Sequence, residues 1–116
     1  MKIVFTTSGD DLNAPLDGRF GRAQKFLVYD LESKTFNVID NQENLNAAQG
    51  AGIQSAETVA RLGATVVVTG HSGPKAFRVL AAAGIKVYHC DAPTVAQALD
   101  QYLSGKLNEA KTADVV

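Results

Sequence analysis

Residues Gly70-His71-Ser72-Gly73-Pro74-Lys75 bring an imidazole, a hydroxyl, an ammonium group and a glycine–proline helix start into one short turn. The preceding Val66-Val67-Val68 run reads as a buried strand. Proline suits the first helical position, where its missing N–H had no partner anyway. A strand that turns here into a helix would aim unpaired N–H groups and the positive end of a helix dipole at one spot. Such a spot holds an anion, or a metal-bearing anion, better than anything apolar. His71 is the leading candidate contact, with Gly70, Ser72, Gly73 and Lys75 around it.

His89-Cys90 follow the next predicted strand. If the two strands are neighbours, His71, His89 and Cys90 can approach a common point. Imidazole and thiolate suit copper, zinc and iron. The chain has no C-x-x-C or H-x-x-x-H spacing, however, and three ligands on loops do not make a closed structural zinc site. The plainer alternatives are a small buried hydrophobe at Cys90 and a solvent-facing loop residue at His89.

A second group lies in Leu16-Asp17-Gly18-Arg19-Phe20-Gly21-Arg22-Ala23. Arg19 and Arg22 carry permanent charge and several donors, suited to anions rather than bare cations. The alternative is an ordinary turn with solvated arginines and Phe20 tucked against the core. A third group, Gln49-Gly50-Ala51-Gly52, permits close backbone approach but lacks the rest of a dinucleotide fingerprint. The Gly70–Lys75 turn likewise lacks the spacing and ending of a P-loop. Strand one has no acid at its centre, and two-metal phosphoryl chemistry needs clustered carboxylates. No nucleophile with an activating base can be assembled. The chain reads as a binder, not an enzyme.

These groups need elements to hold them. Strands are expected at residues 2–7, 25–31 and 35–40, the last two forming a hairpin around Glu32-Ser33-Lys34. Residues 41–51 are polar and end in small residues. Helix and strand then alternate. Ile53, Ala56, Val59 and Ala60 give one apolar helix face, closed by Gly63. Strand four is expected at 65–69, followed by a helix with Phe77, Leu80 and Ala81 inward and Gly84 as its stop. Strand five is expected at 85–88. Thr94 and Gln97 have capping-box spacing ahead of a third helix facing inward through Val95, Ala98, Leu99 and Tyr102. The units 63–74 and 84–93 resemble each other. The pattern predicts an α/β domain with a mixed five-stranded sheet, strand two antiparallel, and helices on its faces. Loops 8–24, 41–52, 70–74 and 89–93 should then meet at one end of the sheet, where ligands of open α/β sheets bind.

Composition sets the outer limits. The 116 residues are 46% apolar with net charge −1, enough for one core and without the basic stripe that duplex nucleic acid requires. The longest apolar runs fall far short of a membrane span. The lone cysteine excludes an internal disulfide framework. Met1-Lys2-Ile3-Val4 enters a strand without the apolar region of a secretory signal, so a cytoplasmic location is expected. Residues 1–107 are expected to form the single domain, and the polar stretch from Ser104, with 108–116 as a tail, to be loosely held.

With these residues in place, the chain resembles the dinitrogenase iron–molybdenum cofactor biosynthesis family over residues 2–107. The resemblance rests on Asp17–Ala23 with Phe26 and Tyr29-Asp30, on Gly50-Ala51-Gly52, on Gly63-Ala64 leading to Gly70 and Gly73–Ala76, on Gly84–Val87 and on Tyr102–Leu107. It implies a ribonuclease-H-like three-layer sheet without that enzyme's acids. It also implies noncovalent binding, storage or delivery of an anionic metal–sulfur cluster. The orange-protein branch, similar in size and in its Gly-Pro-Lys turn, is associated with a molybdenum–copper sulfide cluster and with a multiprotein complex. Family members often place histidine before the Phe-Gly of the first loop; this chain has Arg19. Charged arginine cannot coordinate metal but can pair with a sulfide-rich anion. The expected cargo site therefore holds a cluster by charge from Arg19 and Arg22, by N–H donors, and by apolar walls from Leu16, Phe20 and Ala51. His71 is an added donor or ligand, and His89 and Cys90 are second-rank metal contacts. A protein-docking module without a metal role and a binder of small phosphorylated metabolites are the rivals.

Overall fold

The computed structural model describes residues 1–42 and 50–111. Gln49 and the rest of 43–49, and the tail from 112 onward, lie outside the described residues. Among the described residues, five strands and three helices follow one another as β1 (Lys2–Thr7), β2 (Lys25–Asp30), β3 (Thr35–Asp40), α1 (Ala51–Arg61), β4 (Val66–Thr69), α2 (Pro74–Ala82), β5 (Lys86–His89) and α3 (Val95–Leu103), with a 3-10 turn at Phe20–Arg22. The sheet order is β3-β2-β1-β4-β5. β2 is antiparallel to β1 and β3, whereas β4 is parallel to β1 and β5. The mixed five-stranded sheet expected from the sequence is therefore observed, with the carboxyl ends of β1, β3, β4 and β5 at one end.

Alternation along the strands splits the core in two. Val4, Phe26, Val28, Val67 and Val87 pack beneath α1 and α2, through Ala56, Val59, Ala76 and Leu80. Ile3, Phe5, Leu27, Val66 and Val68 point the other way, onto Val95, Ala98 and Leu99 of α3. Helices thus cover both faces in three layers. Phe5, Phe20 and Phe26 are among the largest fully buried side chains, each worth about 1.5–3 kcal/mol of transfer energy.

Two of the expected helix faces are rotated. Ala81 is exposed and Ala76 is buried instead, because α2 meets α1 at Gly52, where an added Cβ would sit 3.3 Å from that of Ala76. On α1, Ser55 is buried. Asn41 accounts for it: its amide donates to Ser55 Oγ at 3.1 Å and to the Ala23 carbonyl at 2.8 Å. The start of β5 also shifts by one residue. Gly84, at φ 78°, reverses the chain, and Ile85 N–H returns to the Leu80 carbonyl at 3.0 Å. That is a Schellman closure, so Ile85 belongs to the helix cap and the strand begins at Lys86.

The same closure at Gly105 corrects the expectation of a loose end. Lys106 N–H bonds the Gln101 carbonyl at 3.0 Å, which turns the chain back toward the sheet. Leu107 packs on the α3 side of the core, Glu109 bridges Tyr88, and Ala110 N–H reaches the Val87 carbonyl at 2.7 Å. Residues 105–110 form a strap over the outer border of β5. β3, at the other border, is mostly exposed. Among the described residues no helix is long and apolar enough to cross a membrane.

Candidate functional site

The long loop after β1 folds back over the strand ends through a ladder of bonds to buried threonines. Thr6 Oγ1 donates to the Asp17 carbonyl at 2.9 Å and lies 2.9 Å from Thr69 Oγ1. Thr7 Oγ1 holds the Pro15 carbonyl at 2.8 Å. Asp17 N–H bonds the Thr6 carbonyl at 2.8 Å, Asp17 Oδ1 accepts from Arg19 N–H at 3.1 Å, and Phe20 N–H donates to the His71 carbonyl at 3.0 Å. Arg19 and His71 pair as one parallel rung beyond the end of β4. The two backbones lie this close because Gly70 lacks a side chain; a Cβ on Gly18 would meet only open space. A Cβ on Gly70 would fall 2.6 Å from Gly18 Cα.

His71, itself exposed, stands between two clefts. The larger, about 590 Å³, is lined by residues of the first loop and the β4 turn (Leu16, Gly18, Gly70), of the β5 end (His89, Cys90, Asp91) and of the chain's later part (Gln101, Lys106, Leu107). The smaller, about 380 Å³, is bounded by Arg19, Phe20, Gly21 and Gly73. The arginine-bearing loop and the imidazole-bearing turn expected to meet do meet.

Beside the smaller cleft α2 begins. Its N-cap, Gly73, offers no side chain, and Pro74 occupies the first helical position. Phe77 N–H turns inward to the Gly73 carbonyl at 2.9 Å. The N–H groups of Lys75 and Ala76 bond no described residue, so this helix presents two donors and the positive end of its dipole.

Other expected contacts are placed differently. Ser72 is buried, with Oγ 2.8 Å from His89 Nε2, so its hydroxyl serves the β5 end instead of a ligand. His89 is half-buried, the last residue of β5. Cys90 is 7% exposed and fits the plainer reading. Its thiol donates to Gln101 Oε1 at 3.5 Å and accepts from Ala92 N–H at 3.4 Å. His71, His89 and Cys90 line one cleft, yet among the described residues no three His, Cys, Asp or Glu side chains gather around one ion position. The structure brings them to a shared wall without making a ligand set.

Phe20 lines the smaller cleft while its body is buried and stacked on Phe26, ring centroids 5.7 Å apart. Arg22 is exposed at the end of the 3-10 turn and lines neither cleft. Lys75 faces a separate groove with Ile53 and Arg78. Gly50, at φ 77°, is the N-cap of α1, and Gly52 is packed against Gly21, where a Cβ would fall 2.9 Å from Gly52 Cα. Gly50, Ala51 and Gly52 therefore join helix to loop and do not wall either cleft.

Sequence reasoning missed Asp91, Gln101, Lys106 and Leu107 as cleft residues. Gly105 carried a usable signal, since a glycine closing a helix also reverses the chain. Tyr102 sits behind this wall, edge-on to Tyr88 with centroids 5.1 Å apart. Burial, and then the neighbouring Tyr88, push its hydroxyl pKa upward.

Comparison with known proteins supplies a family. The model of the family described as dinitrogenase iron-molybdenum cofactor matches residues 1–105. The apo form of the orange protein from Desulfovibrio gigas is similar at 39% identity and TM-score 0.95, over 98% of this chain and 96% of that one. A putative NifB protein from Thermotoga is 32% identical at TM-score 0.86, over 98% and 97% of the two chains. An uncharacterized protein from Methanocaldococcus jannaschii is 31% identical over 100 residues, 84% of each chain.

Proposed function

The chain belongs to the dinitrogenase iron–molybdenum cofactor family, and from that premise we propose that it is a non-catalytic carrier of an anionic metal–sulfur cluster. The observation that carries the reading is the Arg19–His71 rung. It sets the backbone of a permanently charged arginine beside that of His71, which lines both clefts, next to two α2 N–H groups that bond no described residue. Anionic oxygen or sulfur is what such a corner attracts.

The donor set supports a cargo held without a full set of protein ligands. Arg19 cannot coordinate, and among the described residues no group of three His, Cys, Asp or Glu side chains could hold a metal ion. The cluster therefore keeps its own sulfides and is retained by charge, hydrogen bonds and apolar walls from Leu16 and Phe20. His71 contributes a hydrogen bond or a single metal bond. His89 and Cys90 shape the far wall. The cargo is of the molybdenum–copper sulfide or iron–molybdenum type, and storage or hand-over to protein partners in a multiprotein complex is the task. The same reading places the protein in the cytoplasm, without nucleic acid or membrane partners. It also gives the sheet the ribonuclease-H-like label, supported by strand order 3-2-1-4-5 with strand two antiparallel.

Reconstitution with thiomolybdate and copper tests this reading. Wild-type protein is expected to become coloured and to retain sulfide through gel filtration. Replacing Arg19 and His71 together with alanine should abolish uptake with the circular dichroism spectrum unchanged. Equal uptake by the double variant would remove this corner from consideration. Stabilisation by inorganic phosphate alone, with no cluster uptake, would instead favour a binder of phosphorylated metabolites.

A further inference from the structure

The larger cleft carries two full charges of opposite sign. Asp91 lies on the loop after β5, and Lys106 lies on the strap; both line the cleft. Neither forms an ion pair with a described residue: the pairs present are Met1 with Glu32, Lys25 with Asp10, and Lys111 with Glu109. Both charges are therefore left to act on whatever enters. Alone, Asp91 would repel an anion at the place where the carrier reading puts one. Lys106 offsets it.

The position of Lys106 is built by the fold. Its N–H is tied to the Gln101 carbonyl at 3.0 Å behind Gly105, which has φ 74°. Beyond it, Leu107 is packed on the core and Ala110 is bonded to Val87. The backbone is held on both sides while the residue stays exposed, which keeps the ammonium within reach of the cleft it lines.

We propose that Lys106 is a cargo-binding residue that neutralises Asp91 and so lets the larger cleft accept an anionic cluster. The inference rests on the carrier reading. It makes the strap part of the site, and it makes net cleft charge, not metal ligation, the determinant of retention on this side of His71.

The test compares full-length wild type with Lys106→Ala, Asp91→Asn and the double variant, each titrated with thiomolybdate and copper and followed by visible absorbance. Lys106→Ala should weaken retention roughly two- to fivefold, the size of an exposed charge contact, and the loss should shrink as salt rises. Asp91→Asn should tighten it by a similar factor, and the double variant should return close to wild type. Unchanged binding in Lys106→Ala, or failure of Asp91→Asn to restore it, overturns the role of Lys106. If uptake still requires Arg19 and His71, the carrier reading survives that result. A wild type that takes up no cluster overturns both.

Discussion

The turns after β4 and β5 follow one sequence plan, with a glycine before the strand and a proline after it, yet the helices they start are finished in opposite ways. Pro74 occupies the first position of α2 behind Gly73, which has no side chain to cap with. Pro93 lies two positions before the first residue of α3, so Thr94 becomes the cap and accepts from Gln97 N–H at 3.2 Å. The first loop completes the job. Ala14 accepts from Val95 N–H at 2.9 Å, and Leu12 accepts from Ala96 N–H at 2.7 Å. Every early donor of α3 is satisfied by protein, while those of Lys75 and Ala76 are left for something else. Whether the proline sits inside the first turn or ahead of the cap separates a structural helix start from a receptive one.

The sharpest way to break this contrast is at the receptive turn. Loss of Arg19 and His71 together should eliminate cluster uptake, as set out above, whereas no single change at the β5 turn should do so. Next in size is Gly70→Ala. Its methyl would meet the Gly18 backbone, and overpacking of this kind costs about 1–3 kcal/mol, read as a fall in Tm with weakened uptake. Thr94→Ala should cost about 1 kcal/mol by denaturant titration and leave cluster affinity unchanged, since that donor faces protein only. Smallest in stability is Gly73→Asp. The backbone there, φ −69° and ψ 165°, suits a capping side chain and leaves open space for a Cβ. The variant should gain a few tenths of a kcal/mol while binding the cluster more weakly, because a carboxylate would occupy the donors. Tighter binding by Gly73→Asp would show that the start of α2 plays no part.

Much of this was readable from residue order. β3 runs from Thr35 to Asp40 as expected, because Glu32-Ser33-Lys34 is a plain turn signal between alternating segments. The meeting of Arg19 with His71 followed from strand direction alone. What escaped depended on neighbours distant in sequence. Helical periodicity favoured Ala81 over Ala76 until α1 came to lie against the other side of α2. The glycines at 50 and 52 suggest a ligand loop, and only the tight approach of Gly21 shows them to be packing residues. Ser72 looks available in the chain and is taken by His89, seventeen residues away. Nothing in the polar composition after Ser104 signals that Glu109 will bridge Tyr88.

That bridge has a further effect. With the strap lying along β5, the described sheet has one bare flank, β3. A neighbouring chain that contributed a strand would have to join there, three inter-strand steps or about 14 Å from β4. Assembly through the sheet would thus leave the imidazole corner open, and exchange of freight would not compete with it.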